Sequence, residues 1–200
     1  MSLYAWTLMP LALLHLWLYR QRKMTFRFQL LLDVVLAAVV GPVLVTGGDL
    51  NPISTIQGRP PFQHVEWSVR TGFQPTQGDL VYQFHPWWDE AGRQIRRGEL
   101  PRIQPGVGAG LPLLANGQTG LWAPMMLPVW LHGPERGTTV MAFWKIELAG
   151  LGAFLLMLRA WRLRWTAAAM GGVAWAGTPY LVGWLLVPLA WAVAALPWAW

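Results

Sequence analysis

The chain has 200 residues, of which 54% are hydrophobic and only 12% are Asp, Glu, Lys or Arg. Because soluble domains average about 25% charged residues, this composition argues against a soluble protein. The chain contains no cysteine, which excludes disulfide frameworks and thiolate metal sites, and its formal net charge is +6.

The N-terminal part contains two apolar runs, over 3–19 and 28–46, with a basic link between them. A helix needs about 20 apolar residues to cross a bilayer, and the first run is at the short end of that range. We predict that both runs form transmembrane helices, because lipid offers the backbone no hydrogen-bond partner. The link is expected in the cytoplasm, where positive residues are retained; its bases are Arg20, Arg22, Lys23 and Arg27.

The C-terminal part, 137–200, contains three further apolar runs, which predict transmembrane helices over 138–158, 165–187 and 188–200. The last run stops abruptly in tryptophans, so we interpret it as truncated and the chain as the N-terminal fragment of a longer polytopic protein. A complete small five-helix protein is the alternative. A second basic link, also expected in the cytoplasm, separates 138–158 from 165–187; its bases are Arg159, Arg162 and Arg164.

The two basic links together predict that the region 47–136 lies outside the cytoplasm. This region carries seven basic and seven acidic residues, so the positive excess of the chain belongs to the links. Such a distribution indicates membrane orientation, and we expect a lipid bilayer as a partner and no nucleic acid. The predicted fold class is an all-α polytopic membrane protein with about four to five transmembrane helices. Its large extracytoplasmic loop, 47–136, is predicted to contain interfacial helices.

Within this loop, 79–99 is predicted to be a turn that enters a helix. Pro86 suits the first helical turn and Gly98 suits the end, while acids come early and arginines late, as the helix dipole favours. The pattern fits an interfacial helix whose arginines reach phosphates, or a solvated helix whose arginines pair with neighbouring acids. A second apolar piece, 119–133, is too short to span a bilayer and predicts a short interfacial helix.

Residues 78–124 contain an ordered series of motifs. "GDLVYQFHPWW" is followed by "GELPRIQPGVGAGLPLLANGQTGLWAP", and this order resembles the signature of the YfhO-like bacterial integral membrane proteins. The resemblance covers roughly 78–200, because "KIELAGLGAFLLMLRAWRLRW" is similar to the following helix and basic turn of that family. The matching residues are Asp79, Gln83, Pro86, Gly98, Pro101, Gly110, Pro112, Asn116, Gln118, Trp122 and Pro124.

The YfhO-like family resembles the GT-C-type glycosyltransferases, which implies a location in the bacterial cytoplasmic (inner) membrane. The implied function is transfer of a sugar from a polyprenyl-phosphate donor to a cell-envelope acceptor on the extracytoplasmic face. The resemblance favours an enzyme that is inactive as this fragment. The alternatives are a non-catalytic scaffold and a transport or flippase component of envelope polysaccharide assembly. In the GT-C fold an acid of the first external loop lies near the donor, which here implies Asp79 or, alternatively, Asp49.

Glycosyl transfer from a lipid phosphate needs a base for the acceptor and a group that stabilises the leaving phosphate. Asp79 is the predicted base, and its structural alternative is to cap the turn that follows it. Arg93, Arg96 or Arg97 is predicted to contact phosphate, and the alternative for these arginines is pairing with Asp89 and Glu90. A divalent metal, Mg or Mn, is left open as a cofactor for the phosphate.

The sugar itself needs hydrogen bonds and an aromatic platform. Gln83, from the acidic motif of the resemblance, is included in the predicted substrate site. Asn116 and Gln118 are predicted to bond sugar hydroxyls, or alternatively to satisfy loop backbone, and Trp87 or Trp88 to stack on a sugar face. No histidine metal site is expected, because the spacing of the external histidines fits none; these are His64, His85 and His132.

Three Asp, Glu or Lys residues fall within the predicted spans, where such groups are costly and usually paired. Asp33 is expected toward the cytoplasmic side and Lys145 toward the outside, so these two are not expected to pair. That Lys145 and Glu147 face the external site is left open as one alternative.

Overall fold

The computed structural model describes residues 9, 12–13, 15–17, 19–20, 23–46, 48, 50–52 and 78–200. This part of the chain is mostly helical, which confirms the predicted predominance of helices. Two short strands form an antiparallel hairpin, with Ile103 opposite Pro112 and Gln104 opposite Leu111. The elements in chain order are α1 (Lys23–Thr46), α2 (His85–Arg96), β1 (Ile103–Gln104), β2 (Leu111–Pro112), α3 (Leu127–His132), α4 (Pro134–Leu155), α5 (Trp165–Ala176), α6 (Pro179–Gly183) and α7 (Ala190–Ala195).

Shorter helical segments connect or extend these elements. A π-helical turn, Leu80–Phe84, leads directly into α2, and another, Leu156–Ala160, continues α4. Single 3₁₀ turns follow the hairpin, precede α3 and follow α7; they are Gly117–Thr119, Pro124–Met126 and Leu196–Trp198.

The predicted transmembrane runs and the observed helices agree in position but differ at their ends. The run 28–46 lies inside α1, and 138–158 lies inside the continuous helix Pro134–Ala160. The latter begins earlier than predicted because Pro134 suits a first helical turn and Glu135 complements the helix dipole there. The described residues within 3–19 have helical backbone conformation.

The uninterrupted helix predicted over 165–187 is corrected by the structure. Helix α5 ends at Ala176, and α6 starts only at Pro179. Proline drives the residue before it out of the helical region, and Thr178 accordingly has φ −59° and ψ 138°. The terminal run 188–200 is likewise short, with α7 giving way to a 3₁₀ turn at Leu196.

Among the described residues, one helix is long and apolar enough to cross a membrane. Pro134–Ala160 has 27 residues and a mean hydropathy of 1.6, which suffices to cross a bilayer by length and composition. The core helix of a soluble protein passes the same test, and this helix is mostly buried within the protein.

The chain divides into two compact units. The helical unit comprises Met1–Asp49, Ala142–Leu185 and Leu189–Trp200, and the hairpin unit comprises Leu50–Met141 and Leu186–Pro188. Helix α4 therefore contributes its first turns to the hairpin unit and the rest to the helical unit.

The helical unit is built on close contacts between α1, α4 and α5. The rings of Phe28 and Phe154 stack with centroids 4.2 Å apart. A Cβ at Gly150 would lie 2.8 Å from the Leu32 side chain, and one at Gly172 would lie 2.7 Å from Phe28. Small residues at these positions let the helix backbones approach, as in packed membrane helices.

The hairpin unit has a core formed by α2 and the segments after the hairpin. Trp87, Ala91, Leu113 and Leu121 form one buried cluster. Gln94 joins α2 to the hairpin, because its Nε2 donates to the carbonyl of Ile103 at 2.7 Å and its Oε1 accepts from the Arg102 N–H at 3.1 Å.

The start of α4 is fixed inside the hairpin unit by polar contacts. Asn51 donates to the carbonyl of Glu135 and accepts from the Thr138 hydroxyl at 2.9 Å. The N–H of Leu50 donates to the Thr139 hydroxyl at 3.0 Å. These bonds satisfy side chains that are almost fully buried, and they hold the beginning of α4 in place.

Candidate functional site

A surface cleft of about 760 Å³ in the hairpin unit collects ionisable side chains from three helices. Helix α2 supplies residues spaced by four, which lie on one helical face. The end of α3 and the start of α4 supply the rest, across a turn at Gly133 whose φ of +81° favours glycine. The ionisable residues of the cleft are His85, Asp89, Arg93, His132, Glu135 and Arg136.

Arg93 is held within this cleft by the acids beside it. Its Nη2 lies 2.6 Å from Glu90 Oε2 and 3.6 Å from Asp89 Oδ2. Because the side chains of Arg93 and Asp89 are 53% and 52% exposed, the Arg93–Asp89 pair contributes little to stability. The closer partner, Glu90, is only 15% exposed.

Arg136 provides a second cation in the cleft. It is exposed, and among the ion pairs of the described residues it takes part in none. Burial, and secondly the charge of Arg136, lower the pKa of His132 below its ordinary value of 6.5. His132 is therefore mostly a neutral imidazole at neutral pH, the form that accepts a proton.

Gln104 adds an unsatisfied acceptor to the same cleft. Its side chain is 8% exposed, and its Oε1 has no hydrogen-bond partner among the residues that the structure describes. An unpaired buried amide oxygen is unusual in a native fold and suits a ligand hydroxyl as donor.

A second cleft, of about 710 Å³, lies along a different face of α2. It is lined by Glu90, Gln94, Arg97, Glu99 and Arg102, among others. Of the predicted phosphate contacts, Arg93 and Arg97 line different clefts and Arg96 lines neither of them, so a single phosphate site does not use all three.

The predicted base lies outside both clefts. Asp79 is exposed, and its Oδ1 accepts from Gln83 Nε2 at 3.3 Å. Asp79 occupies the position before the π-helical turn, but its side chain makes no capping hydrogen bond. The alternative catalytic acid, Asp49, lies outside the described residues.

The predicted sugar-binding residues make mostly internal contacts. Trp88 is 1% exposed and Trp87 is 9% exposed, so neither ring offers a free face for a sugar. Asn116 Oδ1 accepts from the backbone N–H of Gln118 at 3.1 Å. Asn116 therefore satisfies the loop backbone, which was the alternative to binding a sugar hydroxyl. Neither Asn116 nor Gln118 lines the clefts.

The cleft contains functional candidates that the sequence analysis missed. His85 lies on α2 and His132 on α3, far apart in the chain, and the acid and base of the α4 start, Glu135 and Arg136, belong to no motif. The available signal was the sequence "HGPER", in which a glycine and a proline mark a turn between charged residues.

Metal binding receives no support from the geometry. Within the described ranges, no group of three or more His, Cys, Asp or Glu side chains could hold a metal ion.

Comparison with known proteins gave no match: no family model, no curated protein and no solved structure matches this chain.

Proposed function

We propose that the chain belongs to an integral membrane glycosyltransferase of GT-C type, related to the YfhO-like proteins. It would transfer a sugar from a polyprenyl-phosphate donor to a cell-envelope acceptor on the extracytoplasmic face of the bacterial cytoplasmic membrane. The proposal includes about four to five membrane spans. It is supported by the ordered motifs of 78–124, by the apolar runs and by the membrane-spanning length of Pro134–Ala160.

The observation that carries the proposal is the composition of the first cleft. Arg93 and Arg136 supply guanidinium groups for a leaving phosphate, whose charge they stabilise through paired N–H donors. Gln104 offers an acceptor to a sugar hydroxyl, and neutral His132 offers a base for the acceptor proton. This set matches the needs of glycosyl transfer from a lipid phosphate.

Besides His132, two acids are candidates for the base. The resemblance implies Asp79, which is exposed near the start of the α2 segment, whereas the cleft contains Asp89. In the proposal Asp89 orients Arg93. The base is Asp79, as the resemblance implies, or His132, the proton acceptor inside the cleft, and the variant Asp79→Asn distinguishes the two.

The test uses membrane vesicles that contain the protein expressed from its complete reading frame. The vesicles receive a panel of radiolabelled polyprenyl-phosphate sugars, and label in the envelope polymer is counted. Replacing both cleft arginines, by Arg93→Gln and Arg136→Gln, is expected to lower transfer by about 100-fold or more, as removal of charge-stabilising donors does. Asp79→Asn is expected to abolish transfer while expression is kept.

The matched control is Arg96→Gln, an exposed arginine of α2 that lines neither cleft. It is expected to retain transfer. If the parent protein transfers no sugar, or if the double variant transfers as well as Arg96→Gln, the proposed function is wrong.

A non-catalytic scaffold in envelope assembly is the second candidate. One observation favours it: Arg93 pairs with Asp89 and Glu90, and Asn116 closes its own turn, so several predicted site residues have structural roles. The scaffold predicts that Asp79 and the cleft arginines can be replaced without loss of envelope assembly.

A further inference from the structure

The second cleft of the hairpin unit is formed where the chain turns back along α2. Gly98, with φ +75°, follows the helix, and the N–H groups of Gly98 and Glu99 donate to the Ile95 and Gln94 carbonyls at 2.9 Å. The side chain of Gln94 then holds the segment 100–105 through two hydrogen bonds to its backbone. The walls of this cleft are therefore fixed by hydrogen bonds before any ligand binds.

One rim of the second cleft is apolar and lies open to the surroundings. In the segment 100–105, Pro101 and Gln104 are buried and anchor the backbone. Leu100 and Ile103 lie between these anchors, are each 53% exposed, and both line the cleft. Exposed apolar side chains grouped at one cleft are typical of a surface that binds an apolar ligand.

The same cleft carries two arginines that acids do not neutralise. Arg97 and Arg102 are exposed, and neither takes part in an ion pair within the part of the chain that the structure describes. Of the two acids that line the cleft, Glu90 pairs with Arg93, which lines the first cleft. Two arginines are thus set against Glu99 alone, and the cleft has an excess of positive charge.

We propose that the second cleft binds one anionic phospholipid at the bilayer surface. Arg97 and Arg102 hold the phosphate, because guanidinium groups bond phosphate oxygens in pairs. Leu100 and Ile103 contact the first methylene groups of the acyl chains. The cleft volume of about 710 Å³ suits a ligand of this size. A soluble phosphate ion would use the arginines but leave the apolar rim in water, so the rim favours a lipid as the occupant.

The phospholipid of the second cleft is a partner and not a substrate. It holds the hairpin unit at the bilayer surface, while Arg93 and Arg136 of the first cleft stay available to the lipid-linked sugar. The inference rests on the membrane location that is part of the proposed function, but it does not depend on sugar transfer.

The test places the full chain in phosphatidylcholine vesicles that contain a small share of photoactivatable phosphatidylglycerol. The probe carries a diazirine at the start of one acyl chain; on illumination it loses N₂, and the carbene inserts into a neighbouring bond. Mass spectrometry of peptides then locates the adducts. In the parent protein, adducts are expected within 97–105. Unlabelled phosphatidylglycerol is expected to compete for this site, whereas inorganic phosphate at the same concentration is not.

Single substitutions separate the phosphate contacts from the apolar contacts. Arg97→Gln and Arg102→Gln are each expected to lower the yield of these adducts about fivefold, the contribution of one basic residue at an anionic surface. Ile103→Thr keeps the branched shape but weakens the apolar rim, and it is also expected to lower the yield. The matched control is Arg96→Gln, which removes an exposed arginine of α2 that lines neither cleft and should leave the yield unchanged. All four side chains are exposed, so these substitutions leave the fold intact.

Three results would overturn the phospholipid site. Adducts do not fall within 97–105; or Arg96→Gln lowers the yield as much as Arg97→Gln does, which indicates general attraction to an anionic surface; or inorganic phosphate competes as well as phosphatidylglycerol, in which case the cleft binds a soluble anion. A protein that binds the lipid but transfers no sugar contradicts the proposed function alone. A protein that transfers sugar without adducts at 97–105 contradicts this inference alone.

Discussion

The indole Nε1–H of Trp88 donates a hydrogen bond of 2.8 Å to the carbonyl oxygen of Thr119. Both residues are 1% exposed. The bond ties α2, which forms one side of the candidate cleft, to the 3₁₀ turn after the hairpin. Trp88 therefore has a structural role that fixes the position of Arg93 and the other cleft residues on the same helix.

Replacing Trp88 with Phe should destabilise the protein. Phe keeps most of the apolar volume but leaves the buried Thr119 carbonyl without its donor, which costs about 1–3 kcal/mol. Thermal unfolding in detergent, followed by tryptophan fluorescence, measures the loss. Trp122→Phe is the control, since Trp122 is 67% exposed, and its effect should stay within about 0.5 kcal/mol. If the two variants lose equal stability, the hydrogen bond from Trp88 to the Thr119 carbonyl contributes nothing beyond the loss of an indole ring.

Gly137 allows α3 to cross the first turns of α4. A Cβ at this position would lie 2.6 Å from the Pro128 carbonyl oxygen and 2.7 Å from the Val129 backbone nitrogen. Because backbone atoms cannot move aside as a flexible side chain does, Gly137→Ala should cost about 3 kcal/mol, the upper range for overpacking.

The control for Gly137→Ala is Gly117→Ala, in the same unit. A Cβ at Gly117 would meet nothing within 4 Å. Thermal unfolding of the two variants in the same detergent should therefore show a large loss only for Gly137→Ala. If both variants unfold like the parent, α3 and α4 do not cross as closely as the structure shows.

Local signals allowed the sequence to predict α2 well. Pro86 lies in its first turn, and Gly98, with φ +75°, lies just after its end, as predicted. The pairing of Arg93 with neighbouring acids follows from helical spacing alone. These features depend on residues that are close in sequence, so a pattern can predict them.

The cleft and the hydrogen bond between Gln29 and Glu147 depend on contacts between distant residues, and the sequence did not predict them. His85 and His132 meet at one cleft only because α2 and α3 pack together. For Glu147 the sequence left open a place at the external site with Lys145, and it gave no sign that Glu147 Oε2 accepts from Gln29 Nε2 on α1. By contrast, Pro179 signals a helix break in the sequence itself. The high average hydropathy of 165–187 nevertheless favoured the prediction of one uninterrupted helix.

Variants of Asn116 distinguish a structural role of its side chain from a sugar-binding role. Its Oδ1 caps the 3₁₀ turn by accepting from the Gln118 N–H. Asn116→Ala should cost about 1 kcal/mol of stability, as loss of a cap does, whereas Asn116→Asp keeps the acceptor and should keep the stability. Thermal unfolding of both variants measures this difference.

Sugar transfer by the same Asn116 variants provides the contrast. If Asn116→Asp is as stable as the parent but loses transfer, the amide group contacts the substrate and the structural account of Asn116 is incomplete. If it keeps both properties, the side chain serves only its own turn.

The pH response of His132 tests the electrostatics of the candidate cleft. Burial and Arg136 lower the pKa of His132 below 6.5, so Arg136→Gln should raise this pKa by removing the second cause. Diethyl pyrocarbonate acylates the neutral imidazole, and the pH dependence of its adduct at His132, measured by mass spectrometry, reports the pKa. Arg96→Gln, outside the cleft, should leave the midpoint unchanged. If the midpoint does not shift in Arg136→Gln, the charge of Arg136 does not act on the pKa of His132. A phosphate site in this cleft then has weaker support.

The same pKa has a consequence for stability. Because the folded pKa lies below the unfolded value near 6.5, the unfolded state binds more protons as the pH falls through that value. The contribution of neutral His132 is thus fully present above the unfolded pKa and is lost progressively as the pH falls toward the folded pKa. His132→Gln cannot titrate, so its melting temperature should fall less than that of the parent over this interval. If the melting temperatures of parent and variant fall equally with pH, His132 has the same pKa in the folded and the unfolded state.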